Sequence, residues 1–447
     1  MTFLRKSGFQ TVPLSAFQRA FLPIFAQDDV TPYYRDKFLL RWAFLVTPRL
    51  DQLRVSRAFD QLVARHDCLR LQFEWIANGW RTVLADRHRT GLIVEDIGEV
   101  SKMSLDAIVQ AQAAADMDLF SDCLFEVRIL KAGRQGDVLI IRANHMIMDG
   151  YGAVIFFEDL INLLMGLPFH DNALKHEKFV KLEEIMLRMS SGSKEEYWTG
   201  VLLPLDQPLN IGRVKKGMPL ASSNEIVRAI EMQDVIDPAQ LRSLEKRAHS
   251  LGATLMAYLA AAFGEVLCEL GDAESVTMDA SVGRLDAAIA KYVGPTVGRV
   301  YIRHMREGAQ DLDKSAQVKT NDIRSGIAHL PWNEELPVNN KESAHTDDPR
   351  GVRGRFRIHI AESIGRMRSS SHSQFFELTR AKGISVGPFH IERIDLASEV
   401  SVMRELELRL SLGADGYSLS LGADADAFEV DELAAICSQL SHKLGVT

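Results

Sequence analysis

The stretch Ile140-Ile141-Arg142-Ala143-Asn144-His145-Met146-Ile147-Met148-Asp149-Gly150 decides how the chain reads. It continues the apolar run Val138-Leu139-Ile140-Ile141. That run is too solidly hydrophobic for a strand with one wet face, so a strand over Asp137–Arg142 is expected in the middle of its sheet. The strand delivers His145 to its end. Asp149-Gly150 then opens an apolar helix carrying Val154, Ile155, Phe157 and Leu160 to Leu164. A histidine at a strand end is rigidly held and can face a cleft. Its pKa near neutrality lets it take a proton from an attacking amine or hydroxyl. Asp149 can orient the loop by pairing with a cation. Gly150 can let the backbone turn and leave amide groups pointing outward at a helix start. The same residues also read as a satisfied core histidine followed by an ordinary helix N-cap, and taken alone they leave both readings open. A metal site built on His145 and Asp149 is disfavoured, because the helix that would put them on one face begins only at Gly150.

Working outward, Ser15 and Gln18 form a capping-box pair behind Pro13, and Phe17, Phe21 and Phe25 give the following helix an apolar stripe. A strand is expected over Phe38–Val46, a helix over Leu50–Arg65, and strands over Leu69–Phe73 and Trp80–Leu84. A helix over Ser104–Met117 and a strand over Phe125–Leu130 follow. Residues 168–217 loosen into Lys- and Ser-rich segments and the stretch 201–213 with Pro204 and Pro208, which reads as a connection. Beyond it, strands are expected at Glu225–Ile230, Val276–Met278, Val297–Arg303 and Arg355–Ile360. Helices are expected at Pro238–His249, Leu255–Leu270 and Phe428–Leu444, with a hairpin of Glu405–Leu412 and Tyr417–Leu421. Residues 333–354 read as a long surface loop. Mixed helices and strands in both halves argue for layered α/β or α+β lobes. The domain reading is an N-terminal lobe over 1–175, an inter-lobe connection over 176–223 and a C-terminal lobe over 224–447.

Composition narrows the function classes. The 447 residues exceed what one core of roughly 250–300 residues usually holds. Hydrophobic residues at 46% and charged residues at 25% are ordinary for a globular chain. A net charge of −8 offers no basic field for nucleic acid. The longest apolar stretch, Thr254 to Phe263, is shorter than the ~18 residues of a membrane span, and the N-terminus lacks the apolar segment of a secretory signal. A cytoplasmic protein with no membrane contact is expected. The four cysteines, Cys68, Cys123, Cys268 and Cys437, form no CxxC pair and read as small buried hydrophobes rather than as zinc ligands or disulfides.

Several segments together resemble a known family. Asn144-His145-Met146-Ile147-Met148-Asp149-Gly150 resembles the HHxxxDG signature of nonribosomal peptide synthetase condensation domains, which belong to the chloramphenicol-acetyltransferase-like acyltransferases. Pro13 to Arg19 resembles that family's opening signature, Arg65 to Phe73 its RHExLRxxF element, and Tyr197-Trp198 its YW segment. Val282-Gly283-Arg284 and Val293 to Val297 resemble its GR and (I/V)GxFVN elements, and His329 to Trp332 its H-x-x-P-F segment. The likeness runs along essentially the whole chain.

The resemblance implies a two-lobed α/β sandwich with a channel between the lobes, and acyl transfer from a thioester to an amine or hydroxyl. His145 matches the histidine assigned to catalysis or to positioning the acceptor. Asp149 matches the structural aspartate, whose implied partner is Arg284, and Gly150 matches the glycine whose amide helps hold the oxyanion. Two positions depart from the pattern. Asn144 replaces the first histidine and cannot titrate. Gly298, followed by Arg299, replaces the asparagine of the FVN element. No bound cofactor is implied. The donor is the phosphopantetheine arm of an acyl or peptidyl carrier protein, or CoA, and the acceptor a small-molecule amine or alcohol. Since the chain ends where the family's fold ends, a free-standing member working with its carrier in trans is expected. The rivals are a CoA-dependent O-acyltransferase, a carrier-binding scaffold without chemistry, and an epimerising relative. Outside the signature, the arginines 350, 353, 355, 357, 366 and 368 read as a solvated face, or more sharply as a docking surface for an acidic carrier.

Overall fold

The computed structural model describes residues 9–25, 38–76, 79–85, 91–120, 123–169, 172–188, 191–202, 211–212, 229–233, 235–283, 288–289, 291–306, 311–330, 356–360, 383–397, 405–413 and 416–446. In chain order these form β1 (Phe9–Val12), α1 (Ala16–Phe25), β2 (Leu39–Thr47), α2 (Gln52–Arg65), β3 (Leu71–Ile76), β4 (Gly79–Ala85) and β5 (Leu92–Asp96). Next come α3 (Lys102–Ala114), β6 (Phe125–Lys131), β7 (Asp137–Asn144), α4 (Gly150–Leu164), α5 (His176–Arg188) and α6 (Ser191–Leu202). Then follow β8 (Ala229–Met232), α7 (Pro238–Ser250), α8 (Leu255–Gly271), β9 (Ser275–Gly283), β10 (Val297–Met305) and α9 (Leu312–Ala328). The chain closes with β11 (Phe356–Ile360), β12 (Gly383–Val386), β13 (Phe389–Ile394), β14 (Leu406–Gly413), β15 (Gly416–Asp424) and α10 (Val430–Lys443).

These elements fall into two compact units. The first comprises Met1–Ile185, Leu285–Thr296 and Gly365–Ser398; the second comprises Met186–Arg284, Val297–Ile364 and Glu399–Thr447. The first unit is built on a six-stranded sheet in the order β12-β13-β2-β7-β6-β5, with a separate sheet β1-β4-β3. β7 is buried at every position, as its apolar run requires, and lies between β2 and β6. Its alternate residues serve two layers. Val138 and Ile140 join Leu105 and Val109 of α3 in one cluster, while Leu139 and Phe157 of α4 line the same small cavity. α2 starts at the N-cap Asp51 and buries Val55, Ala58, Phe59, Leu62 and Val63, the one-face spacing of an amphipathic helix. Phe59 stacks on Phe125 of β6 at 5.6 Å.

The second unit has its own six-stranded sheet, β10-β9-β11-β14-β15-β8. α8 starts at the N-cap Thr254 and ends at Asp272 in the left-handed conformation; twelve of its seventeen residues are buried. Around it gather Trp198, Met278, Val300, Ile302, Leu408 and Leu421.

The layered α/β class is as expected, but the proposed boundaries need correction. The C-terminal lobe is not the contiguous stretch 224–447. β12 and β13 run antiparallel to each other, and β13 pairs with β2, so this excursion completes the first unit's sheet. Residues 285–296 also belong to the first unit. The stretch 176–223 is more than a connection, since it carries α5 and α6. Its Lys- and Ser-rich faces hide Phe179, Val180, Trp198 and Leu202, all buried. Within Leu69–Phe73, Asp67–Arg70 is a 3-10 turn and the strand begins at Leu71. α9 and the strands β1, β5, β12 and β13 have no counterpart in the sequence reading. The loop at 333–354 lies outside the described residues.

Candidate active site

β7 ends at Asn144, and a turn over 145–147 joins it to the cap of α4. Asn144 is buried, and its Oδ1 accepts from the Met146 amide at 2.9 Å. This bond closes the turn locally, so at the signature's first position an amide shapes backbone and no proton moves there. His145 donates its own amide to the Phe38 carbonyl at 2.6 Å. Its ring lies against Phe17 (5.8 Å, 23° between planes) and Phe38 (5.7 Å, 57°). Nδ1 is buried and makes no hydrogen bond among the described residues. Burial pushes the imidazole pKa below the ordinary histidine value, against the Asp149 carboxylate and the residue's own backbone, which both favour the charged form. The ring is therefore neutral at neutral pH. Met146 and Met148 are fully buried as core filling.

Asp149 is fully buried and has two described roles. Oδ1 caps α4 by accepting from the Gly152 amide at 2.7 Å. Oδ2 accepts from the Thr296 amide at 2.5 Å and from Thr296 Oγ1 at 3.0 Å. Asp149 is thus an N-cap, and it also fastens the loop, through the neutral donors of Thr296; its expected cationic partner Arg284 lies outside the described residues. Gly150 is exposed; a Cβ there would meet nothing within 4 Å, and its φ is not in the left-handed region. The sterically demanding glycine is Gly152, whose Cβ would lie 1.7 Å from the Val293 carbonyl oxygen. The sequence reading gives no role to Gly152 or Thr296. The pattern Gly150-Tyr151-Gly152 is the available hint for the first, and membership of the matched Val293–Val297 element the hint for the second.

The turn is held from the other side by α1. Ser15 and Gln18 make the expected reciprocal cap: the Gln18 amide donates to Ser15 Oγ at 3.2 Å, and the Ser15 amide to Gln18 Oε1 at 3.0 Å. Gln18 Nε2 then donates to the Met146 carbonyl at 3.1 Å. α5 in turn holds the start of α1, since Glu183 Oε2 accepts from the Ala16 amide at 2.6 Å.

Other singled-out residues sort as follows. Arg284 lies outside the described residues, as do Arg350, Arg353, Arg355, Arg366 and Arg368 and the side chain of Arg357. Gly298 is buried on β10, and the neighbouring Arg299 pairs with the fully buried Asp279 at 3.4 Å. His66 meets Asp159 at 2.9 Å alongside Arg65, and His329 stacks on Tyr197 at 4.2 Å, both fastening structure. Cys68, Cys268 and Cys437 are buried, and Cys123 donates to the Phe125 carbonyl at 2.8 Å. Among the described residues no single helix is long and apolar enough to cross a membrane.

A histidine delivered by a buried strand, walled by aromatic rings and followed by a capped helix has the chemistry to exchange a proton with a neighbouring group. Residues 10–329 match the family model described as Condensation domain, and the chain belongs to that family. The family's chemistry is acyl or peptidyl transfer in natural-product biosynthesis, carried out with carrier-protein domains. Among curated proteins, gramicidin S synthase 2 of Brevibacillus brevis is 25% identical over 350 residues, covering 74% of this chain and 7% of that protein. Tyrocidine synthase 2 of Brevibacillus parabrevis is 24% identical over 298 residues, covering 65% of this chain and 8% of that protein. The chain therefore spans only a small part of the length of these relatives. Among solved structures, SgcC5 from Streptomyces globisporus has a TM-score of 0.72 at 16% identity, over 97% of this chain and 98% of that one. The epimerization domain from the third module of tyrocidine synthetase B has a TM-score of 0.71 at 14% identity, over 99% and 98%. At such identities the likeness is one of fold.

Proposed function

We propose that this chain is a condensation-type acyltransferase. It moves an acyl or aminoacyl group from the phosphopantetheine thioester of a carrier protein, met in trans, to an amine or hydroxyl of a small-molecule acceptor. The observation that carries the reading is the setting of His145: a neutral imidazole at the end of β7, its ring against Phe17 and Phe38 and its Nδ1 sequestered. Nε2 is then the nitrogen left to meet an acceptor.

The acceptor's heteroatom attacks the thioester carbonyl carbon. The new C–N or C–O bond forms, and the carbonyl π pair moves onto oxygen. His145 takes the proton that the heteroatom sheds. In this scheme the backbone amide of Gly150, at the positive end of α4, favours the oxyanion. As the oxyanion collapses, the C–S bond breaks and sulfur leaves with its electron pair. The imidazolium returns the proton to sulfur, leaving free thiol, product and neutral His145. An alcohol depends on the base more than a free amine, which already presents a lone pair, so for an amine the orienting contribution dominates. Asp149 shapes the turn in this scheme and exchanges no proton.

One structural neighbour, the starter condensation domain of rhizomide synthetase, was solved with C8-CoA (TM-score 0.69, 15% identity), so an acyl-CoA donor belongs in the test. Matched acyl-carrier and acyl-CoA donors are offered with a pool of amines and alcohols, and products are read by mass spectrometry for the wild type and His145→Ala. Product from the carrier donor that the variant loses supports the proposal, and its mass tells amide from ester. Product from acyl-CoA alone replaces the carrier with CoA. Binding of holo-carrier with no transfer from either donor overturns the catalytic reading in favour of a scaffold.

A further inference from the structure

Tyr292 belongs to none of the roles assigned so far, yet both supports of the 145–149 turn lead to it. Its side chain is fully buried and stacks on Phe179 of α5 at 3.9 Å with 12° between the rings. Its hydroxyl lies 2.6 Å from His176 Nδ1, and His176 Nε2 lies 2.9 Å from the Pro13 carbonyl. The polarity of this chain is forced. A carbonyl only accepts, so Nε2 carries the proton. Nδ1 then holds the lone pair and must accept from the Tyr292 hydroxyl. Gly294 makes room for this fold-back, since a Cβ there would sit 2.4 Å from the Tyr292 hydroxyl oxygen.

Two paths run from this point to the candidate catalytic turn. Along the chain, Val293 rests on Gly152, and Thr296 holds Asp149 at the far end of the turn. Through His176, Tyr292 fixes Pro13 at the entry to α1, whose Phe17 and Gln18 hold His145 and Met146 at the near end. We propose that Tyr292 is a positioning residue for His145, joining through its hydroxyl the two clamps that set where the imidazole sits. The inference rests on reading His145 as the group that meets the acceptor.

Tyr292→Phe removes the hydroxyl and keeps the ring on Phe179. The test follows the His145 Cε1–Hε1 cross-peak in protein labelled at histidine, assigned by its loss in His145→Gln. In Tyr292→Phe the peak is expected to shift or split. In the transfer assay kcat is expected to fall roughly ten- to a hundredfold while KM stays within about twofold, as for a misplaced catalytic group. His176→Phe, which keeps a ring and drops both hydrogen bonds, is expected to move the same peak and carries the test should Tyr292→Phe not fold. A His145 peak unmoved in the folded variants overturns the proposal. If the wild type transfers nothing from any donor, the acyltransferase reading fails on its own, and the cross-peak still decides the role of Tyr292.

Discussion

His176 and His145 are both held below the ordinary histidine range by burial, and for His176 the value falls from 6.5 to about 4. The neutral ring is what its hydrogen bonds require. Between those two values the unfolded chain binds a proton that the folded chain refuses, so the stability due to His176 is complete above pH 6.5 and is lost as the pH falls toward 4. The interval amounts to ~3 kcal/mol. Urea unfolding from pH 7 to 4 should show this loss, and His176→Gln should flatten it. The two glycines of the turn make a sharper contrast. Gly152→Ala drives a methyl into the Val293 carbonyl and should cost about 3 kcal/mol or more. Gly150→Ala meets open space and should stay within about 0.5 kcal/mol, both read by chemical denaturation. Sequence inspection picked out Gly150 because the signature contains it. The constraint on Gly152 comes from a carbonyl 141 positions away in the chain, which no local pattern announces. The strand that delivers His145 and the cap that Asp149 forms were legible because strand burial and helix capping are local; the contacts of Thr296 and Tyr292 were not, because their partners are distant.

At the level of elements, the helices whose start signals lie in a few consecutive residues could be read directly. The Ser15–Gln18 cap is present as expected, and the helix expected from Pro238 does start there, where the structure adds a reciprocal cap between Asp237 and Gln240. α1 shows why such a cap matters beyond helix stability: the same Gln18 amide group reaches the Met146 carbonyl. Gln18→Ala removes buried bonds at both places and should lower stability by about 2 kcal/mol. It should also reduce transfer by more than the unfolded fraction explains, which comparing activity with a melting curve on the same sample would reveal. α9 escaped notice because its run LDKSAQVKTNDIRSGIA is polar and buries only small or well-spaced residues such as Ala316 and Ile323. β12 and β13 escaped for another reason. Alternation marks a strand but never names its neighbour, and β13 pairs with β2, more than 300 residues earlier.

Over the whole molecule, each unit is assembled from three separate stretches of chain, so neither corresponds to a length of sequence that could be cut out. A fragment of residues 1–185 keeps β2 and β7 but lacks β13 beside β2 and Thr296 beside Asp149. It leaves a hydrophobic strand edge unpaired, and such edges invite aggregation. The fragment is expected to aggregate, or to give poorly dispersed amide NMR spectra, unless residues 285–296 and 365–398 are supplied with it. The 147 positions between Asp149 and Thr296 also set a clock. A ribosome adding roughly 5–20 residues per second needs roughly 7–30 s to deliver the partner after Asp149 has emerged. Until then the turn bearing His145 has only one of its two clamps. The newly made chain therefore passes through a period in which its most chemically capable histidine is present but unaligned, and a nascent protein stopped before Thr296 would hold an acyltransferase signature with no working geometry.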